Sequence, residues 1–242
     1  MVQLTEDEQV FKRVEEKVKR AIFDYGLIQT GDRVLVGLSG GKDSLALVEL
    51  LGRRSKIFNP RFEVVVAHVI MRNIPYHSDL EYLRRQVEAQ GLPFIVEETE
   101  FDPSTDRRKS PCFLCSWMRR KALFEIAKRE GCGKLALGHH QDDILETLLM
   151  NLIHQGAFGT MPPRLQMDKF AMEIIRPLCL VEESWISEVA RLSGFEHQKT
   201  FCPYEDLTRR RDMNNIFHQL EVINPEARYS MWHAIQRSHS SL

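Results

Sequence analysis

The sequence predicts an α/β fold built on a doubly wound, mostly parallel five-stranded sheet with helical additions at both ends. Three observations carry the prediction. Short apolar, β-branched runs alternate with stretches of helical spacing, glycines punctuate the joins, and the most glycine-rich turn falls between the first strand and the helix after it, where α/β sheets bind ligands. Thr5 and Glu8 form a capping box before a helix that runs to about Tyr25 and ends at Gly26. Residues 33–38 form a buried-type strand leading into Ser39-Gly40-Gly41, and residues 43–51 resume helical spacing. A second strand spans 63–69; Ser78 with Glu81 caps a helix closed by Gly91, and a third strand spans 94–98. Residues 100–111 are polar, charged and proline-bearing, a surface loop suited to substrate contact. A long helix over 113–130 closes at Gly131, a fourth strand spans 134–137, and another helix runs to about His154. Residues 155–168, rich in Gly and Pro, predict irregular structure; residues 173–175 form the fifth strand, and two further helical stretches surround Cys202. The expected organisation is a helical segment over 1–30, a nucleotide-binding catalytic domain over 31–180 and a helical segment over 181–242.

A chain of 242 residues can bury a core without metals or disulfides, so stability does not explain its five cysteines. Net charge is -1, with 33 basic and 34 acidic residues, so contact with nucleic acid must come from clustered charge. Three clusters qualify: Arg107-Arg108-Lys109, Arg119-Arg120-Lys121 and Arg209-Arg210-Arg211. The first ten residues are polar and acidic, unlike a signal peptide, and no apolar run approaches the roughly 18 residues a bilayer requires. The expectation is a soluble cytoplasmic protein without membrane contact, in which cysteines serve as ligands, nucleophiles or core residues.

Ser39-Gly40-Gly41-Lys42-Asp43-Ser44 is the strongest local signal. Glycines let the backbone turn tightly and bring bare N–H groups to an anion, the following helix adds its partial positive end, and Lys42 and two hydroxyls supply further donors. An ordinary glycine turn would need none of this. The spacing differs from the Gly-x-x-x-x-Gly-Lys-Ser/Thr loop. At the end of the fourth strand, Gly138-His139-His140-Gln141-Asp142-Asp143 opens a helix with paired carboxylates, which serve either as helix caps or, beside a phosphate, as Mg²⁺ ligands. Cys112 and Cys115 open the helix before that strand, where the positive helix end, Arg119 and Arg120 favour a thiolate. Such a pair is a zinc half-site, a redox dithiol or a cluster half-site. Cys132, in Gly-Cys-Gly, and Cys179, after Pro177, read as structural; Cys202 is the better third ligand.

Ser39 to Ser44 resembles the signature of the PP-loop ATP pyrophosphatase family, and Gly138 to Thr147 resembles its second signature. In that family the loop holds the pyrophosphate of ATP, which is cleaved between the α- and β-phosphates to adenylate a substrate. The two signatures, the three cysteines and residues 156–163 together are similar to the tRNA 2-thiocytidine synthetase group, from about residue 20 onward. The resemblance implies an ATP-dependent, AMP-forming tRNA sulfurtransferase using Mg²⁺ and a 4Fe-4S cluster on Cys112, Cys115 and Cys202. It places the cofactor at Ser39, Gly40, Gly41, Lys42, Asp43, Ser44, Gly138, His139 and Asp142, with adenine near His68 and Val69, and assigns catalysis to Asp43, Asp143 and Arg119. Sulfur would come from a cysteine desulfurase persulfide or free sulfide, and a homodimer is compatible with the sequence. No cysteine precedes Cys112, which argues against the 2-thiouridine branch with its N-terminal zinc modules. Beyond Cys202, Pro203-Tyr204-Glu205-Asp206 departs from the 2-thiocytidine pattern and leaves base and position open. The competing readings are a PP-loop ligase or amidotransferase with a structural zinc, a thiolase of another base, and a non-catalytic zinc or RNA-binding module.

Overall fold

The computed structural model describes residues 5–74, 78–102, 104, 110–167, 170–196 and 210–240. Cys202 and the basic cluster at 107–109 lie outside them, and so do Arg209 and the side chains of Arg210 and Arg211. The elements are α1 (Glu6–Asp24), β1 (Arg33–Gly37), α2 (Lys42–Ser55), β2 (Glu63–Met71), α3 (Leu80–Ala89), β3 (Phe94–Thr99), α4 (Pro111–Arg129), β4 (Lys134–Ala136), α5 (Gln141–Gln155), β5 (Arg164–Met167), β6 (Met172–Ile175), α6 (Glu183–Leu192), α7 (Arg210–Ile223) and α8 (Ala227–Ser240).

The strands form one sheet in the order β3-β2-β1-β4-β6-β5. Five are parallel, as expected, and β5 is a sixth that runs antiparallel to β6. The expected five-stranded sheet and irregular 155–168 segment are corrected here. Arg164-Leu165-Gln166-Met167 alternates polar and apolar residues, but over only four positions after a Gly- and Pro-rich stretch; β5 is a short, largely exposed edge held by its pairing with β6. A second correction concerns α3, whose cap is Asp79 rather than Ser78: Asp79 Oδ1 accepts from Tyr82 N at 2.9 Å. The capping box at Thr5 and Glu8 forms as expected.

Alternate residues of each strand feed two cores on opposite faces of the sheet. Val34 and Val36 of β1 join the larger core, with Val14 and Val18 of α1, Leu47 and Leu50 of α2, Ile186 of α6, Phe217 of α7 and Trp232 of α8. Leu35 points the other way and packs with Val65, Ala67 and the α4 residues Leu123, Phe124 and Ile126. The terminal helices thus share one core with the sheet. Lys134, buried at the start of β4, donates to Leu27 O at 2.8 Å and lies 2.9 Å from Asp32 and 3.4 Å from Glu173, so its charge is compensated. No helix among the described residues is long and apolar enough to cross a membrane.

The order places a topological switch between β1 and β4: the chain moves outward through β2 and β3, then returns to the other side of β1. Ligands in such sheets bind outside the carboxyl ends of the strands at this point. Phe217 ties α7 to the core with no exposed surface. Phe217→Ala is expected to lower unfolding free energy by about 3–5 kcal/mol, measured by urea titration, through lost burial and the cavity left behind.

Candidate active site

β1 ends at Gly37, and the chain turns through Ser39 and Gly40 into α2, with Gly41 as the N-cap. Gly40 has φ +94°, in the left-handed region where a side chain would be strained. The turn is held from within. Ser44 Oγ donates to Gly41 O at 2.9 Å, accepts from Ser39 N at 3.1 Å and lies 3.0 Å from Ser39 Oγ. No side chain caps Gly41, so the first N–H groups of α2 face the turn as an anion site. Lys42 Nζ donates to Asp43 Oδ1 and Glu183 Oε1, both at 2.8 Å. Burial opposes the charge on Lys42, but these two bonds outweigh it and raise its pKa.

The chain leaving β4 passes directly over this turn. A Cβ on Gly138 would stand 3.1 Å from Asp43 C and from Ser44 N, so any other residue would push the two backbones apart by a few tenths of an ångström. His140 then caps α5 in a reciprocal box with Asp143: His140 N donates to Asp143 Oδ2 at 3.0 Å, and Asp143 N donates to His140 Nδ1 at 3.4 Å. His140 Nε2 lies 3.5 Å from Asp143 Oδ2 and 3.9 Å from Asp43 Oδ1, which brings those two carboxylates to one place. Burial works to lower the His140 pKa, yet the surrounding aspartates, Asp142 first, raise it. Asp142 faces elsewhere: Oδ2 accepts from Glu183 N at 2.8 Å and Oδ1 from Arg228 Nη2 at 2.7 Å. Burial would raise its pKa, but His140 and Arg228 hold it well below the usual carboxylate range.

A cavity of about 500 Å³ opens at the carboxyl ends of β1, β2, β4 and β6. Ser39, Val69, His139, Arg119, Arg120 and Arg176 are among the residues that line it. Val69 thus stands where adenine is expected. His68, its neighbour in β2, projects from the opposite face, with Nδ1 donating to Leu38 O at 2.7 Å. Burial, with Arg119 adding to it and the Leu38 bond opposing, lowers the His68 pKa and keeps the ring neutral.

Cys112 and Cys115 occupy the first turns of α4, three residues apart and so on one face of the helix. Ser110 caps the helix by accepting from Phe113 N at 3.2 Å, and Pro111 fills a position that needs no N–H partner. Both thiols are half-buried, and Cys115 packs with Leu114 and Met118 against Met71, Ile74 and Phe101. The next turns of α4 carry Ser116, Arg119 and Arg120 into the cavity wall. Two soft thiols on a positive helix end fit half of a cluster or zinc site. Two hard carboxylates at Asp43 and Asp143 fit a Mg²⁺ whose other ligands are phosphate and water. No group of three or more metal-ligating side chains is assembled among the described residues. Cys132 and Cys179 are buried; burial raises the Cys132 pKa and pushes that of Cys179 up to about 12, so both stay thiols.

Of the residues singled out in the sequence, the turn at 39–44, Val69, Gly138, His139, Arg119 and Asp143 surround one region; Asp142 and His68 face away from it, and Cys202 lies outside the described residues. Sequence reasoning passed over three side chains. His140 was hidden by its neighbour His139 in the same motif. Glu183 has no motif, and only its contact with Lys42 marks it. Arg176 did carry a signal, a charge directly after the apolar strand Met172–Ile175, at the sheet end where ligands bind.

Residues 10–220 match the model of the PP-loop domain family. The chain belongs to that family. It is 36% identical over 234 residues to the tRNA-cytidine(32) 2-sulfurtransferase of Geobacter sulfurreducens, covering 93% of this chain and 89% of the relative. It is 34% identical over 236 residues to the protein of the same name from Geotalea daltonii, covering 95% and 92%. Among solved structures, the U34-tRNA thiolase NcsA from Methanococcus maripaludis with its [4Fe-4S] cluster superimposes with a TM-score of 0.80 at 26% identity, covering 98% of this chain and 80% of that one. NMN synthetase from Francisella tularensis, at 12% identity and a TM-score of 0.53, shares the fold alone.

Gly138→Ala is expected to weaken nucleotide binding, measured by calorimetric titration with ATP, because its Cβ displaces the backbone of Asp43 and Ser44 at the phosphate-binding turn. Arg228→Met is expected to cost about 3 kcal/mol of stability, seen in denaturant unfolding, because it leaves the buried Asp142 charge without its cation.

Proposed function

We propose that the chain is an ATP-dependent tRNA sulfurtransferase that forms 2-thiocytidine in the anticodon loop, at position 32 as in the names of its relatives. One observation supports the reading: the phosphate-binding turn meets a cationic cavity at Ser39, and the helix that begins with the two thiols enters the wall of the same cavity one turn later, through Ser116, Arg119 and Arg120. A PP-loop ligase has no need of the thiols, and a non-catalytic module has no need of the intact turn.

The chemistry follows from what must leave. The oxygen on C2 of cytosine is a poor leaving group. Its attack on the α-phosphorus of ATP releases pyrophosphate and turns that oxygen into part of AMP. A sulfide then adds at C2, AMP departs with the oxygen, and the sulfide proton passes to solvent. Ser39, Gly40, Gly41, Lys42 and Ser44 bind the pyrophosphate, and Asp43 and Asp143 would hold a Mg²⁺, which would supply the charge that neutralises it. Val69, with His139 beside it, receives the nucleoside. Arg119 faces the charge that develops on the α-phosphoryl oxygens. A 4Fe-4S cluster on Cys112, Cys115 and Cys202 would supply an open iron for sulfide, taken up as free sulfide or released from a persulfide by two electrons from an external thiol reductant. Anticodon-loop bases can be splayed out at modest cost, and basic side chains bind the tRNA backbone, in the cytoplasm where tRNA is modified.

The likeness to a U34-tRNA thiolase favours a second reading, thiolation of a uridine. Anaerobically purified protein incubated with ATP, Mg²⁺, sulfide and unmodified tRNA distinguishes them. Nucleoside mass spectrometry is expected to show 2-thiocytidine with AMP formed in step. A 2-thiouridine product would move the assignment to the second reading, and failure to form either sinks thiolation. Cys112→Ser and Cys115→Ser variants are expected to lose iron and thiolation while ATP binding persists, whereas Asp43→Ala stops AMP formation.

A further inference from the structure

Among the described residues, two lysine or arginine side chains are more than nine-tenths buried, and they are treated differently. Lys134 is met by two carboxylates and a carbonyl. Arg176, 6% exposed, makes one side-chain bond, from Nη1 to Pro162 O at 2.5 Å; its Nε is buried with no hydrogen-bond partner, and no ion pair joins it among the described residues. Burying a guanidinium this way is costly unless something compensates the charge. The cavity it lines holds Arg119 and Arg120 as well, and neither aspartate nor glutamate lines that wall. Asp143 acts on Arg176 only from beyond ion-pair distance, so compensation at contact distance is left to an anion that enters the cavity.

Arg176 follows β6, two strands away from β1 and its phosphate-binding turn. At the usual strand spacing that is roughly 10 Å across the sheet. The turn and Arg176 therefore address different parts of what fills the cavity. A guanidinium offers a planar fork that matches the oxygens of a phosphoryl group, and its charge persists at neutral pH.

We infer that Arg176, with Arg119 and Arg120, forms a second phosphoryl-binding site in the cavity, separate from the turn that takes pyrophosphate. The inference rests on the sulfurtransferase reading, which supplies two sources of that group: the α-phosphate retained by AMP, and a backbone phosphate beside the tRNA base being modified.

The test uses the full chain with Arg176→Met, which keeps side-chain length and removes charge, and Arg176→Lys, which keeps charge and removes the fork. Affinity is measured separately for AMP and for unmodified tRNA, with thermal melting of the unliganded proteins alongside. Arg176→Met is expected to melt no lower than the parent protein and to bind one of the two ligands roughly ten- to a hundredfold more weakly. Loss confined to AMP assigns the site to the nucleotide, and loss confined to tRNA assigns it to the backbone. Arg176→Lys is expected to fall between, and it decides the matter alone if the Met variant fails to fold. Affinities unchanged in the folded variants, with a lowered melting temperature, overturn the proposal and leave Arg176 as a brace for the Pro162 carbonyl. Failure of the parent protein to bind AMP, ATP or tRNA tells instead against the sulfurtransferase reading.

Discussion

The site depends on how closely the exit from β4 approaches the turn after β1. At Gly138 the two backbones lie so near that a single added carbon would stand 3.1 Å from Asp43 C and Ser44 N. That contact sets the height of the α5 start above the α2 start. Both helices direct their N-terminal ends at the same space, so their partial positive charges add there. Both also carry a carboxylate into it, Asp43 from α2 and Asp143 from α5, and His140 lies within 4 Å of each. A one-residue change in either turn would separate these groups. The parallel register of β1 with β4, Val34 opposite Lys134 and Val36 opposite Ala136, is what prevents it.

Charge is then sorted across the cavity. Carboxylates and the Lys42 ammonium gather over the phosphate-binding turn, while Arg119, Arg120 and Arg176 line the wall. The separation suits a ligand whose metal-bound phosphates sit at one end and whose other phosphoryl oxygens remain bare at the other. Mixed evenly, the same residues would pair among themselves and leave little field for a substrate. The first turns of α4, which carry Cys112 and Cys115, precede the turns that bring Arg119 and Arg120 to the cationic wall.

Much of this was legible in the sequence because it is local. β1, β2, β3 and β6 announce themselves as runs with β-branched residues and β4 as a short apolar run between glycines, and the phosphate-binding turn is six consecutive positions whose chemistry needs no distant partner. The readings that failed are those decided across the sheet. β5 exists because β6 offers it an edge, and the alternation of its own four residues is too short to mark a strand beside the Gly- and Pro-rich stretch before it. Asp142 and Asp143 are adjacent and chemically identical, yet one faces the phosphate turn and the other faces Glu183 and Arg228; which does which depends on helices that begin 41 and 85 residues later. His68 and Val69 likewise divide between opposite faces of β2, a split that the strand period states plainly once the cavity face is known.

A chain of short polar contacts also connects the nucleotide end of the site to the C-terminal helices. Lys42 pairs with Glu183 at 2.8 Å; the Glu183 backbone donates to Asp142, which pairs with Arg228 at 2.7 Å, and Arg228 reaches Glu221 of α7 at 2.9 Å. Under the proposed function, Asp43 and Lys42 are the groups that would exchange partners when nucleotide binds, Asp43 being free to hold a Mg²⁺ once Lys42 contacts phosphate instead of Asp43 and Glu183. Each charge is compensated before and after, so the exchange requires no bare buried ion. Glu183, released from Lys42, remains at the first position of α6, where a carboxylate is already stabilised by the helix end. The segment containing Cys202 runs between α6 and α7, two helices joined to this chain at Glu183 and Glu221. The same set of ion pairs therefore joins α6, α7 and α8 to the phosphate-binding turn, so that Glu183, Glu221 and Arg228 bear on the site although they stand away from the cavity wall.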